Sequence, residues 1–372
     1  MKTVLLTAIL ALGAAAPAAA DVPRLDIRTA KQIRDEPKVP ARLTIGKRTH
    51  RIGIELRGQG TQLHAKKPYG FEARRRIRLL GMPAERDWVL NAAFRDPSLL
   101  RDALAHRAAR ELGLASSRTR HVELWLNGRP RGLYVLMERA ELSRRRVQGE
   151  ALLELTEPIA LDRGDDSFPS ATGYAVRHVE PDEAGERESR RARAAVAALE
   201  ASLGGPGWRA HLDERSAVDY VLLTELLKNQ DGFHRSTFVH QRASGRLALG
   251  PVWDFDLSAG NVTHPPAGPP EGWLLGDRAW AGALLADPGF RSALAGRWRA
   301  LQARGFVRGL LRTVDREARA LRAPARRNFA RWPILGKPLF PAQPVHVSHR
   351  SAVGGLKAWL SRRAAWMDAA LL

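Results

Sequence analysis

The 372-residue chain is long enough for one large bilobal domain or two coupled ones, and its 44% apolar content can build a substantial core. It has no cysteine, which excludes disulfide staples and thiol chemistry. Sixty Lys and Arg against 39 Asp and Glu leave a formal charge of +21, yet the arginines are scattered along helices and turns with no stripe of aromatic stacking residues, which argues against specific nucleic-acid binding and for a solvated basic surface that favours acidic partners or an anionic envelope surface.

The first twenty residues have the form of a signal peptide: Lys2, a short apolar run over 3–13, and Ala18-Ala19-Ala20 before Asp21. That run is too short to cross about 30 Å of hydrocarbon, and no later segment is continuously apolar for longer. The expectation is cleavage near Asp21, no transmembrane segment thereafter, and an extracytoplasmic location, periplasmic or secreted. Residues 21–39 read as an N-terminal linker. Segments 41–45, 51–56 and 69–79 have strand character, the last two flanking the glycine turn Arg57-Gly58-Gln59-Gly60-Thr61. Asp96-Pro97 offers an N-cap and a proline at the first helical position, and Leu100, Leu104, Ala108 and Leu112 continue a helix to its stop at Gly113. Asn127-Gly128 predicts a hairpin between 122–126 and 132–138.

The segment 161–190, rich in Asp, Glu, Gly, Ser and Pro, reads as a loop or flap. Helices are predicted over 194–203 and 216–228, then a hairpin of 237–241 with 246–253 around Ser244-Gly245. From 280 the pattern is helical, broken by Pro-rich loops at 324–345, and it closes with Val353, Leu356, Leu360, Met367 and Leu371 on one face. The fold class expected is α+β: a β-rich lobe over 40–140 with one main helix, then a mostly helical lobe over 141–372.

Asp231 falls just past a predicted helix end and Asp254 just past a strand end, with a hairpin between to bring those ends together. Phosphoryl transfer needs this layout: one carboxylate beside the acceptor hydroxyl and another for the cation that bridges nucleotide phosphates. Asp254 and Asp256 share one face of an extended backbone, and hard oxygen donors suit Mg²⁺ or Mn²⁺ better than zinc. From the β-rich half, the glycine turn and Lys66-Lys67 supply backbone donors and positive charge, with Lys67 favoured over Lys66. No P-loop, zincin or nucleophile-elbow motif occurs. His234 reads as a surface or hydrogen-bonding residue and Trp253 as core.

Several ordered blocks resemble the CotH kinase family. They are Arg57-Gly58, Lys66-Lys67-Pro68-Tyr69, Leu80-Gly81-Met82 through Asp87-Trp88-Val89-Leu90, Ser98-Leu99-Leu100-Arg101, Gly132-x-Tyr134 to Glu138, Lys228-Asn229-x-Asp231-Gly232, and Gly250-Pro251-Val252-Trp253-Asp254-Phe255-Asp256-Leu257. The resemblance spans about residues 40 to 372. It implies an atypical, bilobal protein-kinase-like fold, ATP with Mg²⁺ or Mn²⁺ as cofactors, and transfer of the terminal phosphoryl group to Ser or Thr of a protein. On that mapping Asp231 is the base or acceptor-orienting residue, Asp254 the principal metal ligand and Asp256 an auxiliary one. Lys67 and Arg57 contact phosphate, and Glu138 lies in the stretch 137–139 where a kinase hinge meets adenine. Two positions depart from the pattern. The turn reads Arg-Gly-Gln-Gly-Thr where many members have Arg-Gly-Asn-Ser, and Ser236 stands where kinases at large place a metal-binding Asn. The competing expectation is a non-catalytic extracytoplasmic envelope or surface protein that keeps the fold as a binding module.

Overall fold

The computed structural model describes residues 22–371 except 59, 144, 145, 163, 182, 183 and 341. The expected signal peptide over 1–20 and Gln59 of the glycine turn therefore lie outside the described residues. In chain order the first strands are β1 (Arg24–Arg28), β2 (Val39–Ile45), β3 (Arg48–Leu56), β4 (Tyr69–Arg78) and β5 (Ala84–Asn91). Helix α1 (Arg101–Leu112) leads to the hairpin β6 (Thr119–Leu126) and β7 (Arg129–Glu138). These seven strands close into a barrel in the order β1-β2-β3-β4-β5-β7-β6, with β1 completing the ring by parallel pairing to β6. Alternation along the strands turns Leu25, Ile27, Leu43, Ile54, Phe71, Trp88, Leu124 and Leu136 inward to fill it.

The second half begins with β8 (Ala151–Thr156), β9 (Ser167–Pro169) and β10 (Ala175–Glu180), then α2 (Glu186–Ser202) and α3 (Glu214–Leu227). Strands β11 (Thr237–Gln241) and β12 (Leu247–Leu249) follow, then α4 (Ala279–Ala286), α5 (Pro288–Ala303), α6 (Phe306–Ala320), α7 (Arg322–Arg331) and α8 (His349–Leu371). A five-stranded antiparallel sheet runs β12-β11-β8-β10-β9. Helix α3 is buried on every side from Ser216 to Leu227, as expected of a helix apolar all round, and is central to a large core shared with α1, α5, α8 and this sheet.

The α+β class holds, and four expectations are corrected. The segment 21–39 is not simply a linker, because Leu25 and Ile27 of β1 are fully buried in the barrel. Much of 161–190 is ordered: β10 pairs with β8, and β9 with β10, which turns the expected small hairpin of the second half into a sheet of five strands. Helix α1 starts at Arg101 instead of directly after Asp96, since the Asp96 carboxylate accepts from the backbone N–H groups of Ser98, Leu100 and Arg101 and holds an extra turn ahead of the helix. Its stop is as expected, with Gly113 in the left-handed region at φ +94°. Pro324 lies inside α7 and not in a loop, which its place in the first turn permits, because no intrahelical bond is asked of its nitrogen there.

Candidate active site

Lys228 ends α3 in the left-handed region at φ +43°, and its ammonium group donates to the carbonyls of Pro266, Pro269 and Glu271. The chain then turns through Asn229 and Asp231 into a tight loop. Phe233 and Ser236, at φ +53° and +48°, take conformations unusual for side-chain-bearing residues. Three residues hold the loop: Thr237 Oγ1 accepts from the Phe233 N–H, Tyr174 donates to the Phe233 carbonyl at 2.7 Å, and Glu157, just past β8, pairs with both His234 and Arg235. His234 thus serves as the hydrogen-bonding residue expected of it.

The opposite wall is the segment after β12. Val252 bridges to Ser116, and Asp254 follows at φ +57°. Trp253 is half-buried and packs beside Phe238 and His106. Asn229 Nδ2 donates to the Asp254 carbonyl at 3.3 Å, and Ser236 Oγ lies 3.5 Å from Asp254 Oδ2. The loop of Asp231 and the turn of Asp254 are therefore brought together, as the intervening hairpin predicts.

Two residues that sequence reasoning missed complete the site. Asp102, in the first turn of α1, accepts from the Phe255 N–H at 3.0 Å and from the Asn91 amide. Arg95 pairs with Asp256 Oδ2 at 3.1 Å, while its carbonyl accepts from Asn261 and Gln343. Asp102 left only a weak sequence signal, an acid beside the apolar stripe of a helix. Arg95 left none, because its partner lies 161 positions away.

Asp231, Asp254 and Asp256 thus share the charge of Arg95, with Asp102 beside them. Burial, then repulsion from Asp256, Asp231 and Asp102, pushes Asp254 well above the usual carboxylate range, against the pull of Arg95. Burial and then Asp256 raise Asp231 to about 6. Asp102 is raised to about 7, chiefly by burial. Asp256 Oδ1 and Asn261 Oδ1 are buried without a hydrogen-bond partner.

Among the described residues no three His, Cys, Asp or Glu side chains form a cluster able to hold a metal ion. Mg²⁺ does not require one, since it is commonly held by one or two carboxylates with water and phosphate oxygens. Asp254 and the orphaned Oδ1 of Asp256 fit that donor set, and an arriving cation would relieve the repulsion among the acids.

Of the expected phosphate contacts, Lys67 lies on the loop that carries His64. His64 stacks on Phe94, and its proton affinity is lowered by burial and by Arg95 and Lys67 while Asp256 raises it, so these charges share one neighbourhood. The Lys67 ammonium donates to the Gln62 carbonyl. Lys66 is committed elsewhere, donating from full burial to Leu133 and to Asn328 of α7. Arg57 lies against Gly70, lowered to about 10 by burial and the nearby charge of Arg139, with Arg177 adding to it. Glu138 is fully buried; its Oε2 accepts from the Arg118 N–H at 2.7 Å and lies 3.8 Å from Arg146. The structure therefore gives the Glu138 carboxylate protein partners of its own and does not bring it together with the four aspartates.

A search of curated proteins found no match. A scan against protein families matches residues 54–367 to the family described as CotH kinase protein. With most of its length matched, the chain belongs to the CotH kinase family.

Proposed function

We propose that this protein is an exported protein kinase that moves the terminal phosphoryl group of ATP, as its Mg²⁺ or Mn²⁺ complex, onto Ser or Thr of a protein. The observation that carries this reading is the meeting of Asp231, Asp254 and Asp256 around Arg95, with Asp102 adjoining them. When bound, the divalent cation supplies charge neutralisation at the phosphates. Asp254 and Asp256 Oδ1 are the oxygen donors that would hold it. Asp231 is half-buried and titrates near 6, suited to take the proton of the acceptor hydroxyl as the new oxygen–phosphorus bond forms and the bond to the leaving ADP oxygen breaks. Lys67 and Arg57 bring positive charge from the barrel toward the phosphates. A kinase-like relation of barrel to helical body belongs to the same reading, as does export through the first twenty residues.

The test is a thermal shift of the full chain with ATP and Mg²⁺ or Mn²⁺, wild type beside Asp254→Ala. A ligand at about 100 times its dissociation constant stabilises by about 2.7 kcal/mol. A metal-dependent rise that the variant lacks supports the site. No rise in either protein removes ATP as the ligand and favours the non-catalytic binding module.

A further inference from the structure

Three arginines stand directly opposite one another on the outer face of the barrel. Arg28 of β1 is in register with Arg42 of β2, and Arg42 with Arg51 of β3. One residue past the Ile52–Ala73 pair, Arg74 carries the row onto β4. All four are exposed. With strands about 4.8 Å apart, the row is about 15 Å long. Like charges directly opposite on neighbouring strands destabilise a sheet. The acids of this face give the row no relief, because Asp26 pairs with Arg24, Glu55 with Lys38 and Glu72 with Arg86. A cleft of about 500 Å³ opens along it, lined by Arg28, Arg42, Arg51, Thr29 and Asn127.

We infer that this face docks on a layer of anionic phospholipid headgroups. Repulsion that opposes the fold becomes attraction when anions lie over the row, and each basic residue near such a surface adds about 1 kcal/mol. The exposed Lys47 and Arg48 of the β2–β3 turn widen the row into a patch, which suits a charged plane better than a single strand. Single-stranded nucleic acid finds no stacking platform on β1 to β4, whose outward positions hold Arg, Asp, Thr, Pro, Gly and Glu. The neighbouring Trp125 is covered by the Arg24 guanidinium, 3.8 Å from the ring centroid. A peptide cannot add as a strand here, because a closed barrel has no open edge. The inference is independent of the phosphoryl-transfer reading.

The experiment is co-sedimentation of the full chain with phosphatidylcholine vesicles containing about 30 mol% phosphatidylglycerol, and with pure phosphatidylcholine vesicles. R28Q/R42Q/R51Q is compared with R299Q/R308Q/R312Q, which removes the same charge from exposed arginines of α5 and α6. The expected result is binding of wild type and the helix variant to the anionic vesicles, and about a 100-fold weaker partition of the barrel variant with its thermal midpoint unchanged or raised at low salt. Equal loss in both variants would reduce the effect to diffuse net charge and overturn the inference. So would equal binding of all three proteins to neutral vesicles, which would point to the apolar run over 3–13 as the anchor. Wild-type binding to polyglutamate or a single-stranded oligonucleotide without binding to anionic vesicles would overturn it as well.

Discussion

Asp254 holds the left-handed conformation at φ +57°, where most side chains pay about 1–2 kcal/mol and aspartate is among the few regular visitors. Strain and crowded acids at one position are expected where ligand binding, not stability, selects the residue. Asp254→Ala should therefore lower phosphotransfer by about a hundred- to a thousandfold in a radiolabel assay, with no loss of stability in the ligand-free protein. The acids also give a pH signature. Asp102 binds its proton more tightly folded, at about 7, than at its ordinary 3.8. Its stabilisation is complete below the ordinary value and is lost as pH rises through about 7. Asp102→Asn should accordingly gain thermal stability over wild type at pH 8 and show a smaller gain at pH 5, read as the difference in Tm without nucleotide. An equal difference at the two pH values would contradict the buried, repelled carboxylate.

Single elements are tied to the site by a few polar contacts. Glu225 and Arg363 form an ion pair of 2.8 Å, fully buried, that joins α3 to α8. Glu225 also accepts from the N–H groups of Leu274 and Leu275, and Arg363 donates to the carbonyls of Pro270 and Gly272. Together with Lys228 they secure the Pro-rich stretch 264–275 against the helix that ends at the Asp231 loop. Arg363→Ala leaves a buried carboxylate unpaired and should cost about 3–5 kcal/mol in urea unfolding. Glu157 acts on the loop from the sheet side, through His234 and Arg235. Glu157→Gln should preserve the fold and lower kcat by about tenfold with KM for ATP little changed, because the loop it steadies carries the acceptor-side residue and not the phosphate contacts. A rise in KM at unchanged kcat would place Glu157 in nucleotide binding instead.

At the scale of the whole molecule, the barrel depends on a strand that looks incidental in sequence. Removing residues 22–29 would take Leu25 and Ile27 from the core and open two edges, β2 and β6. The truncated protein should aggregate, or melt at a much lower temperature than wild type, in scattering and thermal unfolding.

The sequence by itself determined what is local. The Asn127-Gly128 hairpin, the Gly113 stop and the apolar helix before Lys228 all follow from periodicity, capping and turn chemistry within a few residues, whereas the strand expected over 246–253 stops at Leu249 and leaves Asp254 in the turn beyond it. Tertiary structure decided the rest. The strands β1, β9 and β10 are short, and what makes them strands is a partner elsewhere in the chain, as when β10 pairs with β8. Lys66, next to Lys67 in sequence, is drawn away from the site by Asn328, 262 positions on. Asp102 and Arg95 join the acids only because α1 and the chain before it pack against the turn after β12, contacts of 153 and 161 positions that no local pattern encodes.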